Sequence, residues 1–106
     1  MLFIERGAGE MKPSEALALH RQEIRRLVRE HRLSNARVFG SVLHGRDADG
    51  SDLDLLVDPL PGTTLFDLGG LQVELEETLG VPVEVLTPGD LPRKFRDHVL
   101  REARPV

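Results

Sequence analysis

Val38 to Asp58 reads VFGSVLHGRDADGSDLDLLVD, two apolar runs around a segment crowded with glycine and aspartate. Its beginning, with Ala36 and Arg37 ahead of it (ARVFGS), predicts a short strand that stops at Gly40. VLHGRDADGS reads as a turn, or one helical turn, followed by a polar loop. DLDLLVD reads as the next strand, closed by Asp58-Pro59 and Pro61-Gly62. Successive side chains of a strand alternate faces, so Asp52, Asp54, Leu56 and Asp58 share one face, while Leu53, Leu55 and Val57 point into the core. The β-carbons of Asp52 and Asp54 are then roughly 6–7 Å apart. At an effective dielectric of about 20 their repulsion is on the order of 2–3 kcal/mol. A bridging divalent cation would reverse its sign, and all-oxygen ligands favour magnesium, manganese or calcium over zinc. The plainer alternative is a pair of solvated aspartates capping a strand. Gly40-Ser41 adds weight to the first: after a strand, bare backbone N–H groups and a hydroxyl can meet a phosphate without obstruction.

Outward from this stretch the chain alternates helices and strands. From Pro13 the pattern is helical, with Ser14 as a cap and Leu17, His20, Ile24, Leu27, Val28 and His31 on one stripe. Arg21, Arg25, Arg29 and Arg32 lie on a neighbouring face, either solvated or a docking surface for an acidic partner. Ser34-Asn35 is expected to end that helix. A second helix begins near Thr64, with Asp67 as reciprocal capping partner. Leu65, Leu68, Leu71, Leu75 and Leu79 form its apolar stripe, and Gly80 suits its left-handed stop. Gly69-Gly70 inside it is a misfit costing about 1 kcal/mol per glycine. VPVEVL is a third strand, Pro88-Gly89 a turn, and Asp90 the cap of a last helix reaching about Ala103. The order helix, strand, strand, helix, strand, helix predicts an α+β (α/β-like) domain, a small mixed sheet flanked by helices. Residues 1–12 show no clear period and are expected to form a short strand or an ill-ordered arm, leaving 13–106 as a single domain.

Composition narrows the function classes. The 106 residues suffice for one domain. No apolar run approaches the ~18 residues of a membrane span, and the N-terminus lacks a signal-peptide layout. Cysteine is absent, which removes disulfides and thiolate chemistry. A cytoplasmic location is the default expectation. The net charge of −4 argues against broad nucleic-acid binding, and the lack of Trp and Tyr against a base-stacking platform. DADGSDLDLLVD invites an EF-hand alignment with Asp47, Asp49, Ser51 and Asp58 as ligands, but Asp52 occupies the position that needs glycine. His20 and His31 are too far apart along one helix, about 16 Å, to bind one metal, and read as boundary residues. No P-loop sequence is present.

FGS…SDLDLLV resembles the nucleotidyltransferase superfamily related to DNA polymerase beta, and more narrowly its minimal (MNT-type) prokaryotic members. The resemblance is close over Arg37–Val57 and looser to about Pro105, and it implies a palm-like nucleotidyltransferase fold. It implies that Gly40 and Ser41 hold the β- and γ-phosphates of ATP and that Asp52 and Asp54 bind two magnesium ions. Glu84 takes the place of the third carboxylate, where relatives usually carry aspartate. Many relatives have arginine just before the second glycine of the loop. This chain has His44 there and Arg46 after Gly45, so Arg46 is the candidate phosphate clamp. The implied reaction moves AMP from ATP to a hydroxyl. With three strands and three helices spent on the nucleotide platform, the acceptor is expected in trans. The resemblance implies a helical HEPN-type protein encoded nearby, with this chain as antitoxin, alone or in a homo- or hetero-oligomer. The alternative is a weak or inactive module that neutralises its partner by binding alone.

Overall fold

The computed structural model describes residues 11–106. Two short helices open it, α1 (Pro13–Leu19) and α2 (Arg21–Glu30), followed by the hairpin-like pair β1 (Leu33–Phe39) and β2 (Leu53–Pro59). Helix α3 (Leu65–Leu79) crosses back to β3 (Val83–Leu86). A 3-10 turn (Pro88–Asp90), α4 (Arg93–Glu102) and the two-residue β4 (Arg104–Pro105) complete the chain. The sheet order is β3-β2-β1-β4. β1 runs antiparallel to β2 and β4, whereas β2 and β3 are parallel. A parallel pair needs a long crossover, and α3 provides it. The fold is therefore α+β with a mixed sheet, as the element order predicts.

The core lies between the sheet and the first three helices. Leu17, Ile24, Leu27 and Val28 from α1 and α2, and Leu71, Leu75 and Leu79 from α3, pack with Leu33, Val38, Leu53, Leu55, Val57, Val83 and Val85. Leu56, on the opposite face of β2, is fully buried too, outside that cluster. β2 also contacts the 3-10 turn, just beyond which Leu91 is buried. The centre of β2 is thus covered on both sides, and its two ends carry the aspartates.

Several local expectations are corrected. The single helix predicted from Pro13 breaks at His20, which serves α1 as C-cap and α2 as N-cap (φ −124°, ψ 25°). The apolar stripe runs through the break from Leu17 to Ile24, so periodicity cannot reveal it. Lys12, not Ser14, is the N-cap of α1, with Pro13 in the first turn. Met11 packs against the core, so the arm expected over 1–12 is already part of the domain by Met11; its remainder, 1–10, lies outside the described residues. Ser34-Asn35 does not end a helix but sits in β1, where the register slips between Ser34 and Arg37 and Asn35 takes φ +53°. Leu65 is solvent-exposed rather than part of the core stripe. Asp90 accepts from Thr87 across the 3-10 turn, and Pro92 stands at the N-cap of α4. The capping box of α3 forms as expected, with Thr64 N–H donating to Asp67 Oδ2 at 2.8 Å. Its Gly80 stop has φ +73°. Among the described residues no helix is long and apolar enough to cross a membrane.

Candidate active site

Register brings the predicted residues into one row across the sheet. Phe39 at the end of β1 pairs with Asp54 on β2, and Asp54 pairs with Glu84 on β3. Gly40, the next residue of the chain, has φ +76° and lies so close to Asp54 that a β-carbon would collide with its Oδ2. Only glycine satisfies both demands. Ser41 follows immediately. Asp52 is exposed one strand repeat before Asp54, and Glu84 is exposed beyond it. The parallel β2–β3 ladder starts at this end, with Leu53 N–H donating to the Pro82 carbonyl at 2.8 Å.

The segment after Gly40 is a compact turn rather than a helix. His44 N–H donates to the Gly40 carbonyl at 3.2 Å, Gly45 N–H to Val42, and Arg46 N–H to Ser41 at 2.8 Å. Arg46 is held by its backbone at the exit, with its side chain in solvent. His44 is not turned back into the loop: its Nε2 lies 3.1 Å from Glu102 Oε1 on α4. The other oxygen of Glu102 meets His98 Nε2, also at 3.1 Å. The polar loop is fixed from a further side, because Ser14 N–H donates to Asp47 Oδ2 at 2.8 Å. Burial tends to raise the Asp47 pKa, but the hydrogen bonds from Ser14 outweigh it and leave the carboxyl below its usual range. Sequence inspection did not single out either contact as functional. His98 and Glu102 at i, i+4 were a signal for one; nothing local signals the other.

The charges at the site are poorly compensated. Asp58, on the same face of β2, is paired with Arg37 at 2.6 Å and with Asn35 Nδ2 at 2.8 Å. Asp54 has no such relief. Its carboxyl is pushed up to about 6, first by burial, then by the charges of Glu84 and Asp52 and by its hydrogen bond with Glu84. That placement also removes the EF-hand alignment, since Asp47 and Asp58 serve Ser14 and Arg37 instead of converging. Among the described residues no three His, Asp or Glu side chains form a ready-made metal cage. The donor set still suits a hard cation. Three carboxylates on one edge, one of them raised in pKa by burial and then by its charged neighbours, beside a backbone stripped of side chain, fit magnesium. Asp52, Asp54 and Glu84 are the residues that would hold it.

A glycine turn set against carboxylates on two adjoining strands is the platform of a nucleotidyltransferase. The family model described as "Polymerase beta, Nucleotidyltransferase" matches residues 22–106, and the chain belongs to that family. Within it, the chain is similar to a solved structure described as "Structure of putative minimal nucleotidyltransferase", 41% identical with a TM-score of 0.79, over 88% of this chain and 95% of that one. It is also 39% identical over 74 residues to "Putative protein adenylyltransferase MJ0435" of Methanocaldococcus jannaschii, covering 70% of this chain and 80% of the relative. A structure described as "Crystal structure of the toxin-antitoxin with AMP-PNP" shares the fold at 20% identity and a TM-score of 0.67, over 79% of this chain and 69% of that one.

Proposed function

We propose that this chain transfers AMP from ATP, with magnesium, to a hydroxyl group of a partner protein. In this proposal it acts as the antitoxin of a pair whose other member is a helical HEPN-type protein encoded nearby, in the cytoplasm. The observation that carries the proposal is the alignment of Gly40, Asp54 and Glu84 across three strands. Gly40 and Ser41 offer backbone N–H groups and a hydroxyl to the β- and γ-phosphates, and Arg46 stands at the turn's exit as a cation for the same group. The acceptor oxygen forms a bond to the α-phosphorus, the bond to the β-phosphate oxygen breaks, and pyrophosphate leaves with that electron pair. The hydroxyl proton passes to the Glu84 carboxylate, which faces Asp54 across the β2–β3 register. When bound, magnesium at Asp52, Asp54 and Glu84 would neutralise phosphate charge and make the acceptor hydroxyl more acidic. The relatives described as a protein adenylyltransferase and as a toxin-antitoxin complex with a nucleotide analogue support both donor and acceptor class.

One observation favours the binding-only alternative. His44, standing where the resemblance expects arginine, faces Glu102 on α4 and not the turn that follows Gly40. Incubating the chain with the product of its neighbouring gene, labelled ATP and magnesium separates the two. Mass spectrometry is expected to find AMP on a hydroxyl side chain of the partner. Neutralisation of the partner without any adduct would favour the mask over the enzyme.

A further inference from the structure

β3 is a four-residue strand at the end of the sheet, and among the described residues β2 is its one strand neighbour. The N–H groups that point away from the neighbour on such an edge ordinarily face water or another chain. Here they do not. Val83 N–H donates to Glu76 Oε2 at 3.0 Å and Val85 N–H to Gln72 Oε1 at 3.2 Å, both bonds partly buried. The two acceptors stand on α3 one helical turn apart, a rise of about 6 Å. The two donors are one strand repeat apart, about 6.6 Å. Helix and strand therefore match bond for bond, and the two bonds straddle Glu84.

We infer that Gln72 and Glu76 are positioning residues for Glu84, clamping β3 from α3 so that the Glu84 carboxylate stays opposite Asp54. The inference rests on the role proposed above for Glu84 as a metal-holding carboxylate. A short strand bonded on one side only can fray and pivot about that side. β3 is bonded on both: its register with β2 sets Glu84 against Asp54, and the α3 side chains hold the opposite edge. Val83 and Val85 are buried while Glu84 between them is exposed. Any turn of the strand that carried Glu84 away from Asp54 would pull both valine amides off their acceptors at the same time. A one-residue slip is opposed twice, because it would also bury Glu84 and expose the valines. The clamp acts on Glu84 without touching it, since Gln72 and Glu76 bond only to the backbone of its two neighbours in these contacts. They therefore stand behind the metal ligand as an outer support, holding its orientation from the far edge of the sheet.

Manganese alone, titrated into the full chain and followed by electron paramagnetic resonance, tests the clamp without requiring turnover. Gln72→Ala combined with Glu76→Ala should weaken manganese binding about tenfold, the scale for losing an outer support of a metal ligand. In a Glu84→Gln background, where Asp52 and Asp54 remain to bind the ion, the same pair should change affinity by less than about twofold. Glu76→Gln keeps an accepting oxygen and should bind manganese within about twofold of the wild type. Amide exchange should show Glu84 and Val85 losing about tenfold in protection in the double variant, with the centre of β2 unchanged. If the double variant is too unstable to titrate, Gln72→Ala alone should show the same dependence on Glu84. Equal weakening with and without Glu84 overturns the inference and leaves the two side chains as a cover for the sheet edge. Wild-type affinity in the double variant overturns it as well. A wild-type chain that binds no manganese removes the metal role of Glu84 itself, and the inference falls with it.

Discussion

Asp54 is the residue on which the site turns. Its native pKa of about 6 lies above the ordinary value of 3.8, so the folded state holds the proton more tightly than the unfolded one. Below about pH 4 both states are protonated and the shift has no effect. Between about pH 4 and pH 6 the unfolded chain has released its proton while the folded one still holds it, so stability falls across that window. Above that range the buried carboxylate is a net cost, on the order of 1 kcal/mol once solvent screening of this half-exposed group is allowed for. Asp54→Asn should therefore raise the melting temperature at pH 7.5 by a few degrees and change it little at pH 4. Thermal denaturation at the two pH values measures this; an equal effect at both would remove the electrostatic account. Magnesium should stabilise the wild type at pH 7.5 and fail to stabilise the variant. Much of this is legible in the sequence, because Asp52 and Asp54 at i, i+2 announce an unrelieved charge on any strand. What the sequence does not contain is the register that puts Glu84 opposite Asp54, or the collision that forbids a side chain at Gly40.

At the level of elements, helices and strands were legible where one face is apolar and the other is not. Thr64, Asp67 and Gly80 mark both ends of α3 because caps are local chemistry. The break at His20 was hidden because the apolar stripe keeps phase through it. β4 was hidden because two residues, Arg104 and Pro105, are too few for a period. Most of all, the loop between β1 and β2 gives no sign that it is tied to α1. Ser14 donating to Asp47 crosses thirty-three residues of chain and ties the segment between Arg46 and Asp52 to α1. Asp47 does not touch the nucleotide platform itself, so its effect should appear as positioning. Asp47→Ala is expected to lower stability by about 1 kcal/mol or less, the scale of one partly exposed hydrogen bond to a carboxylate. It should raise KM for Mg-ATP several-fold with kcat within about a factor of two, as for a loosened phosphate loop. Asp47→Asn, which keeps an accepting oxygen, should recover most of that loss. A purely structural role would instead lower the active fraction and leave KM unchanged, which active-site titration distinguishes.

Across the whole molecule, the domain is used up in building one sheet edge. Three helices cover one face, the 3-10 turn contacts β2, and α4 reaches back to His44 through Glu102. Under the proposed function the acceptor is supplied by the partner protein. Whether the edge then works as an enzyme or as a mask depends on Glu84, which is exposed on β3 and coupled to Asp54 through the strand register. Glu84→Gln removes the neighbouring negative charge without altering shape. It should leave nucleotide bound by the Gly40-Ser41 turn and lower transfer by about two orders of magnitude or more, the scale for losing a general base. The Asp54 pKa should fall in the same variant, because one of the charges that raises it is gone, and carboxyl titration by NMR would detect that shift independently of activity. Glu84→Asp keeps the charge and should keep or improve transfer. Under the binding-only alternative, neither substitution changes neutralisation of the partner and no variant transfers nucleotide. Should wild type and Glu84→Asp both prove inert toward a verified partner with magnesium and ATP, while the Asp54 pKa still falls in Glu84→Gln, the electrostatic coupling would stand and the enzyme assignment would be lost.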